Sequence, residues 1–291
     1  MVLRPANPLQ TPYLNLKLVA TRNLKGPKTA AAINTLVSTA LIFLERQCEQ
    51  VELVSHVPGK VYFAYALKSA PHMISRPVNE ALFEPDSQVI SRQWTDPSGL
   101  SEESLARLSY TMGTAYSVAS DIFDRNNKKG PATYFEMLVG HIFARELDRN
   151  PTKQATFLVP PKTRVRLTMD FLFDLPHGKF SVHLPVKTST RERVVQAWAH
   201  QRMLDASYGE GKYKAILVIH SETKLGLAKR DVVEICVPDQ WLAYQTFLSK
   251  MERIYYFDIP ARYAQLSKEF PVIQLRQFGD FFLEKDALLG L

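Results

Sequence analysis

The sequence predicts an α/β fold in which a central sheet is covered on both sides by helices, preceded by a mainly helical part. Three observations carry this. In the C-terminal half, strand-length apolar runs alternate with helix-length stretches, the pattern of a sheet layered between helices. Val165–Phe173 and Phe180–Lys187 each alternate apolar and polar residues around a Leu-Pro-His-Gly turn at 175–178. In the first 125 residues the dominant signals are two long stretches with apolar residues at helical spacing. The chain thus divides into 1–125 and 126–291.

Taken in order, residues 1–26 are rich in Pro and Asn, and their short apolar stretch Tyr13–Ala20 reads as a strand. From Lys28 to about Cys48, Ala32, Leu36, Ala40 and Phe43 or Leu44 recur at turn spacing and predict a helix. Residues 58–95 read as irregular, with one short strand near Val61–Leu67, and Trp94 falls in this segment. Ser101 is placed to cap a second long helix, whose buried face is Leu105, Leu108, Met112, Ala115, Ala119 and Ile122. Asp124–Pro131 (DRNNKKGP) reads as a linker, or as a basic loop whose Lys128 and Lys129 touch phosphates. A third helix starts at Pro131, a favoured residue at a first helical position, and runs to about Leu147. Glu136 sits at the edge of its apolar stripe, with Gly140 one turn later leaving room beside it.

The strand pair follows. On its first strand Val165, Leu167, Met169, Phe171 and Phe173 are expected on one face, with Arg166, Thr168 and Asp170 on the other. On the second, Phe180, Val182, Leu184 and Val186 form the apolar set and Lys187 lies opposite. A helix is expected over Thr190–Ala206, strands over Tyr213–His220 and Val232–Val237, a helix over Asp239–Met251, a strand over Ile254–Ile259 and a short helix after it.

Composition narrows the function classes. An apolar content of 46% and a charged content of 22% are those of a folded chain, and a net charge of +7 favours an anionic partner. Two cysteines, Cys48 and Cys236, make neither a disulfide framework nor a zinc cluster. No apolar run is read as membrane-spanning and no signal-peptide core opens the chain, so cytoplasmic residence without a membrane partner is expected. A Gly-rich phosphate loop and a nucleophile triad are both missing, which argues against small-molecule enzymes built on them.

Phosphodiester hydrolysis needs carboxylates to hold a divalent metal and a cation to stabilise developing charge. Glu136 on a helix, Asp170 on one strand and Lys187 on the next can supply them. The plainer reading of Asp170 and Lys187 is a cross-strand ion pair on a solvated face. Asp174 is a rival carboxylate, though Asp is expected beside a turn.

The order of helix with Glu, strand with Asp, hairpin to a strand ending in Val-Lys, then helix, resembles the PD-(D/E)xK nuclease fold. Lys187-Thr188-Ser189-Thr190-Arg191-Glu192-Arg193 resembles the signature of the CCGG family of type II restriction endonucleases, the EcoRII and NgoMIV group. There a catalytic lysine is followed by an Arg-(Asp/Glu)-Arg element at a helix start. The resemblance covers roughly residues 130–220, and the first 125 residues carry no matching motif. It implies that Asp170 is the central metal ligand, Lys187 the catalytic lysine and Glu136 the helical carboxylate that completes or supports an Mg²⁺ site. It implies that Arg191, Glu192 and Arg193 enter the major groove and read adjacent C:G pairs, each contact worth roughly 1–3 kcal/mol of discrimination. Ser189–Glu192 also fits a capping box, which is the structural alternative for Glu192.

Two positions depart from that pattern. Pro185 stands two residues before the lysine, where the family has Glu, Ser or Val. His200 and Gln201 stand on the following helix, where the family moves the missing carboxylate. His200 can ligate a metal or orient water, or it can simply pack beside Trp198. Trp94 with the nearby Arg92 could stack a base extruded from the duplex, or lie in the core. The implied activity is that of a homodimeric, Mg²⁺-dependent, site-specific deoxyribonuclease acting on double-stranded DNA at a palindrome containing CC and GG. A sequence-selective DNA binder of the same fold without cleavage, and a structure-selective repair nuclease, are the alternatives.

Overall fold

The computed structural model describes residues 7–124, 126–175, 180–190, 194–226 and 230–290. The chain opens with helices α1 (Gln10–Arg22) and α2 (Pro27–Gln47). Five short strands follow: β1 (Cys48–Glu52), β2 (Val54–Ser55), β3 (Tyr62–Leu67), β4 (Ala70–Ile74) and β5 (Val78–Asn79). Then come α3 (Ser87–Thr95), α4 (Glu102–Phe123) and α5 (Lys129–Glu146). The strands β6 (Thr152–Val159), β7 (Thr163–Phe173), β8 (Ser181–Leu184) and β9 (Val186–Lys187) lead to α6 (Val194–Tyr208). The chain continues through β10 (Tyr213–Ile219), β11 (Thr223–Leu225), β12 (Asp231–Glu234), α7 (Pro238–Phe247), β13 (Met251–Tyr256), α8 (Ala261–Glu269), β14 (Leu275–Gln277) and α9 (Phe281–Leu289).

The main sheet is mixed, in the order β14-β13-β10-β8-β7-β6, with β9 continuing the line of β8 beside β10. β10 pairs in parallel with β8, β9 and β13, whereas β7 pairs antiparallel with β6 and β8. Strand β10 is buried on both faces. Ile216 and Val218 join the cluster containing α2, α4 and α5, while Ala215, Leu217 and Ile219 pack with Trp198 of α6, Trp241 of α7 and Tyr263 of α8. The predicted sheet with helices on both sides is therefore present. A continuous apolar cluster also joins the first helices to this sheet, from Leu9 to Leu289. Two smaller sheets flank it, β1-β3-β4 with β5 on β3, and β11-β12-β2.

Several expectations need correction. Tyr13–Ala20 is helix, not strand, because Leu9, Leu16 and Ala20 recur at helical spacing and bury against neighbouring helices. The segment 58–95 is ordered as β3, β4, β5 and α3, with Asp86 capping α3 through the amides of Gln88 and Val89. α5 begins at Lys129, so Pro131 is its third residue and the linker is shorter than the sequence suggests. Strand β6 precedes β7, where no strand was expected. By length and composition α2 is apolar enough to cross a membrane, against the sequence reading. Half of its apolar window is buried, as in the core helix of a folded domain. Ser101 does cap α4, accepting from the Ser104 amide at 3.2 Å.

The largest correction lies in β7. Its pairing with β6 runs from Val159↔Thr163 to Gln154↔Thr168 and resumes at Thr152↔Leu172. Met169, Asp170 and Phe171 thus lie opposite Lys153 alone, a bulge at which the alternation of the strand breaks, since Met169 and Leu172 share one cluster and Phe171 and Phe173 another. The five apolar residues expected on one face are divided. Met169 packs with Leu204 of α6, with Leu167 beside it, while Phe171 and Phe173 join the α5 side. The room expected beside Gly140 is filled by Phe171: a Cβ at that glycine would meet the ring at 2.5 Å.

Candidate active site

Asp170 sits in the bulge of β7, and Lys187 ends β9. Asp170 Oδ2 accepts from Lys187 Nζ at 2.8 Å and from the Val186 amide at 2.8 Å. Both side chains are about one-fifth exposed, so the pair lies at the edge of solvent. Oδ1 of Asp170 accepts no hydrogen bond among the described residues.

Glu136 reaches this pair from α5. Burial and then the Asp170 charge push its carboxyl above the ordinary range, with Lys153 and Lys187 opposing. His200 reaches it from α6. Burial and then the Lys187 charge lower its imidazole, which favours the neutral form. The structure therefore brings Glu136, Asp170, Lys187 and His200 together.

It also adds residues that sequence reasoning missed. His183 of β8 is 1% exposed, with its ring 6.4 Å from that of His200. Burial holds it down to about 4. Its Nδ1 lies 3.0 Å from Gln201 Oε1. Gln201 Nε2 donates to Asp205 Oδ1 and to the Tyr213 carbonyl, both at 2.8 Å, so Oε1 is an acceptor and His183 carries its proton on Nδ1. Gln201, which stands where a carboxylate was sought, is thus buried and committed to this relay. A lone imidazole in an otherwise apolar strand was the available signal. Lys153 of β6 also comes near, its ammonium 4.6 Å from the centre of the Phe171 ring.

Other predicted residues stand elsewhere. Trp94 is 5% exposed on α3, donates Nε1–H to the Ala30 carbonyl at 3.2 Å and lies under the Arg145 guanidinium. It is a core residue with no open ring face, which removes the expected base-stacking role. Lys128 and Lys129 are exposed at the start of α5. Lys128 lines an open pocket of about 360 Å³ with Arg76, Thr188, Ser189, Ser221 and Lys224, next to the chain leaving Lys187. Asp174 accepts from Ser181 Oγ at 3.1 Å, away from Lys187. Arg191, Glu192 and Arg193 lie outside the described residues, as does most of the 175–178 turn.

Among the described residues no group of three His, Cys, Asp or Glu side chains encloses a metal. Asp170 with a free oxygen, and Glu136 beside it, make a two-carboxylate set of hard donors. Such a set fits Mg²⁺, which keeps several waters and is commonly held by one or two carboxylates plus substrate phosphate. Burial first and the Asp170 charge second raise the Glu136 carboxyl, and a bound cation would oppose both.

The crystal structure of the type IIP restriction endonuclease Kpn2I matches this chain with a TM-score of 0.81, covering 98% of each chain at 22% identity. The fold is that of a restriction endonuclease. A restriction endonuclease PspGI–substrate DNA complex also aligns, over 70% of this chain and 92% of that one, at 16% identity and a TM-score of 0.44. No family profile and no curated protein sequence matches the chain. At these identities the likeness establishes the fold, and chemistry rests on the residues themselves.

Proposed function

We propose that this chain is a site-specific endonuclease that hydrolyses double-stranded DNA at a palindrome containing CC and GG, acting as a homodimer with Mg²⁺. The observation that carries the reading is the 2.8 Å contact of Lys187 with Asp170 at a strand bulge, with Glu136 and His200 converging on it from helices on either side. Mg²⁺ held by Asp170 and Glu136 would lower the pKa of an attacking water and neutralise phosphate charge. Lys187 places an ammonium where negative charge builds on the phosphate. The Val186 amide and Lys187 both hold Oδ2, so the Asp170 carboxylate is oriented before substrate arrives. His200, half-buried and with its neutral form favoured, is the group assigned to take a proton from water, and the His183–Gln201 pair packs beside it. Arg191, Glu192 and Arg193 are assigned to base reading on their sequence alone, with arginine donating twice to guanine and glutamate accepting from cytosine. The region 1–125 is assigned flanking contacts or dimerisation.

The test is digestion of a long DNA of known sequence with Mg²⁺, followed by sequencing of the ends. Discrete ends sharing a CC/GG palindrome are expected, and Asp170→Ala or Lys187→Ala should each lower the rate at least ~10²-fold. Full cleavage by either variant sinks the assignment. A second reading, a sequence-selective binder that does not cut, is favoured by Pro185 before the lysine and by His200 and Gln201 on α6, so that neither position where the resemblance places a further carboxylate carries one. Selective duplex binding without nicking in Mg²⁺ or Mn²⁺ would establish it.

A further inference from the structure

The β6–β7 hairpin changes character along its length. Near the sheet, Ala155, Phe157 and Met169 are buried against Leu204 of α6. Phe157 also meets the Tyr208 ring edge-on, and Tyr208 Oη donates to the Thr156 carbonyl at 2.5 Å, which ties the hairpin to the end of α6. Beyond that anchor the two strands pair only with each other, and every residue from Leu158 to Arg166 is exposed.

The two faces of this arm differ. One carries Phe157, Leu167 and Met169 toward α6. The other presents Thr156 and Leu158 on β6, with Arg164, Arg166 and Thr168 on β7, and all five are exposed. Nothing in the described structure covers this second face. Along β7 it runs, two residues at a step, from Arg164 through Arg166 to Thr168, and the bulge that holds Asp170 follows directly. The charge is of one sign. From Arg149 to Met169 the chain holds Arg149, Lys153, Lys162, Arg164 and Arg166 and no Asp or Glu. Neither Arg164 nor Arg166 joins an ion pair among the described residues.

We infer that the uncovered face of the β6–β7 arm is a second DNA-contacting surface, on which Arg164 and Arg166 hold backbone phosphates flanking the site of cleavage. The inference rests on the nuclease reading for the position of the duplex. Its own support is the bare, single-sign face of a hairpin anchored at its base on α6 and continuous along β7 with the bulge that holds Asp170. Arg164 lies at most about 20 Å from Asp170 along the strand, six residues at no more than about 3.4 Å each, with the bulge shortening the last steps. At about 3.4 Å per nucleotide that is roughly six base steps. The arm therefore meets phosphates at or beyond the edge of a short palindrome. Contacts of this kind set register and affinity and carry no direct sequence information.

The experiment is fluorescence anisotropy with a labelled duplex of mixed sequence, in EDTA so that nothing is cut, across a range of salt concentration. The slope of log affinity against log salt scales with the number of phosphates neutralised, at about 0.9 for each, so Arg164→Gln with Arg166→Gln should reduce it by about 1.8. Arg164→Lys with Arg166→Lys, which keeps the charge, should keep the wild-type slope. An unchanged slope in the glutamine variant overturns the arm assignment while leaving the nuclease reading intact. A fall in sedimenting mass with the slope unchanged would make the arm a contact between copies of the chain, and also overturns it. No duplex binding by the unmodified protein defeats the nuclease reading, and this inference with it.

Discussion

The two ends of β7 are built from similar alternating sequence and meet opposite fates. At Met169–Phe173 the strand is clamped between α5 and α6, and Phe171 packs so closely on Gly140 that no side chain fits there. At Thr163–Arg166 the strand has solvent on both faces. The buried end positions one carboxylate with a bulge, two hydrogen bonds to Oδ2 and a surrounding shell of side chains. The exposed end offers charge on a ribbon whose geometry depends only on its partner strand. Precision is therefore concentrated where burial can enforce it, and the part assigned by inference to phosphate contact is the one that needs it less.

That contrast can be tested by perturbing each end. Phe171→Ala should have the largest effect, costing about 3–5 kcal/mol by chemical denaturation, since a fully packed ring leaves a cavity between β7 and α5. A loss below about 1 kcal/mol would mean that this end is not rigidly held.

Acid should destabilise the buried end next. His183 is held down to about 4 and His220 to about 3, both by burial, against 6.5 in the unfolded chain. The unfolded state therefore takes up protons first. The stability these residues contribute is present above pH 6.5 and is lost as pH falls toward their folded values. Each adds a limiting slope of about 1.4 kcal/mol per pH unit, and His183→Gln should remove one such increment between neutral pH and about pH 5. An unchanged slope would show that His183 is not buried neutral.

The smallest effect belongs to the exposed end. Arg164→Gln with Arg166→Gln should change stability by no more than about 0.5 kcal/mol, while it alters DNA binding. A larger loss of stability would mean that the arm packs on something and is not a free ribbon.

Much of the site was legible because its determinants are local. Alternation put Asp170 and Lys187 on neighbouring strands with a turn between them, and the structure joins them at 2.8 Å. Helical spacing placed Glu136 at the edge of a buried stripe, where α5 now presents it. His183 escapes such reasoning because alternation shows only which face a residue takes, not which helix will cover that face. Trp94 is hard to place because α3 has a short, weakly apolar pattern, and its burial comes from α2 and Arg145.

The sequence by itself determined the order of elements around the site, the pairing of carboxylate and lysine, and the run of cations without acids from Arg149 to Met169. These follow from residue type and from periods of two and 3.6 along the chain. Only the tertiary structure decided where β7 bulges, which apolar residues go to α5 and which to α6, and that the cations lie on an uncovered face. A bulge depends on the partner strand β6, and exposure depends on where α5 and α6 end. Both are relations between segments distant in sequence, and no local period encodes them.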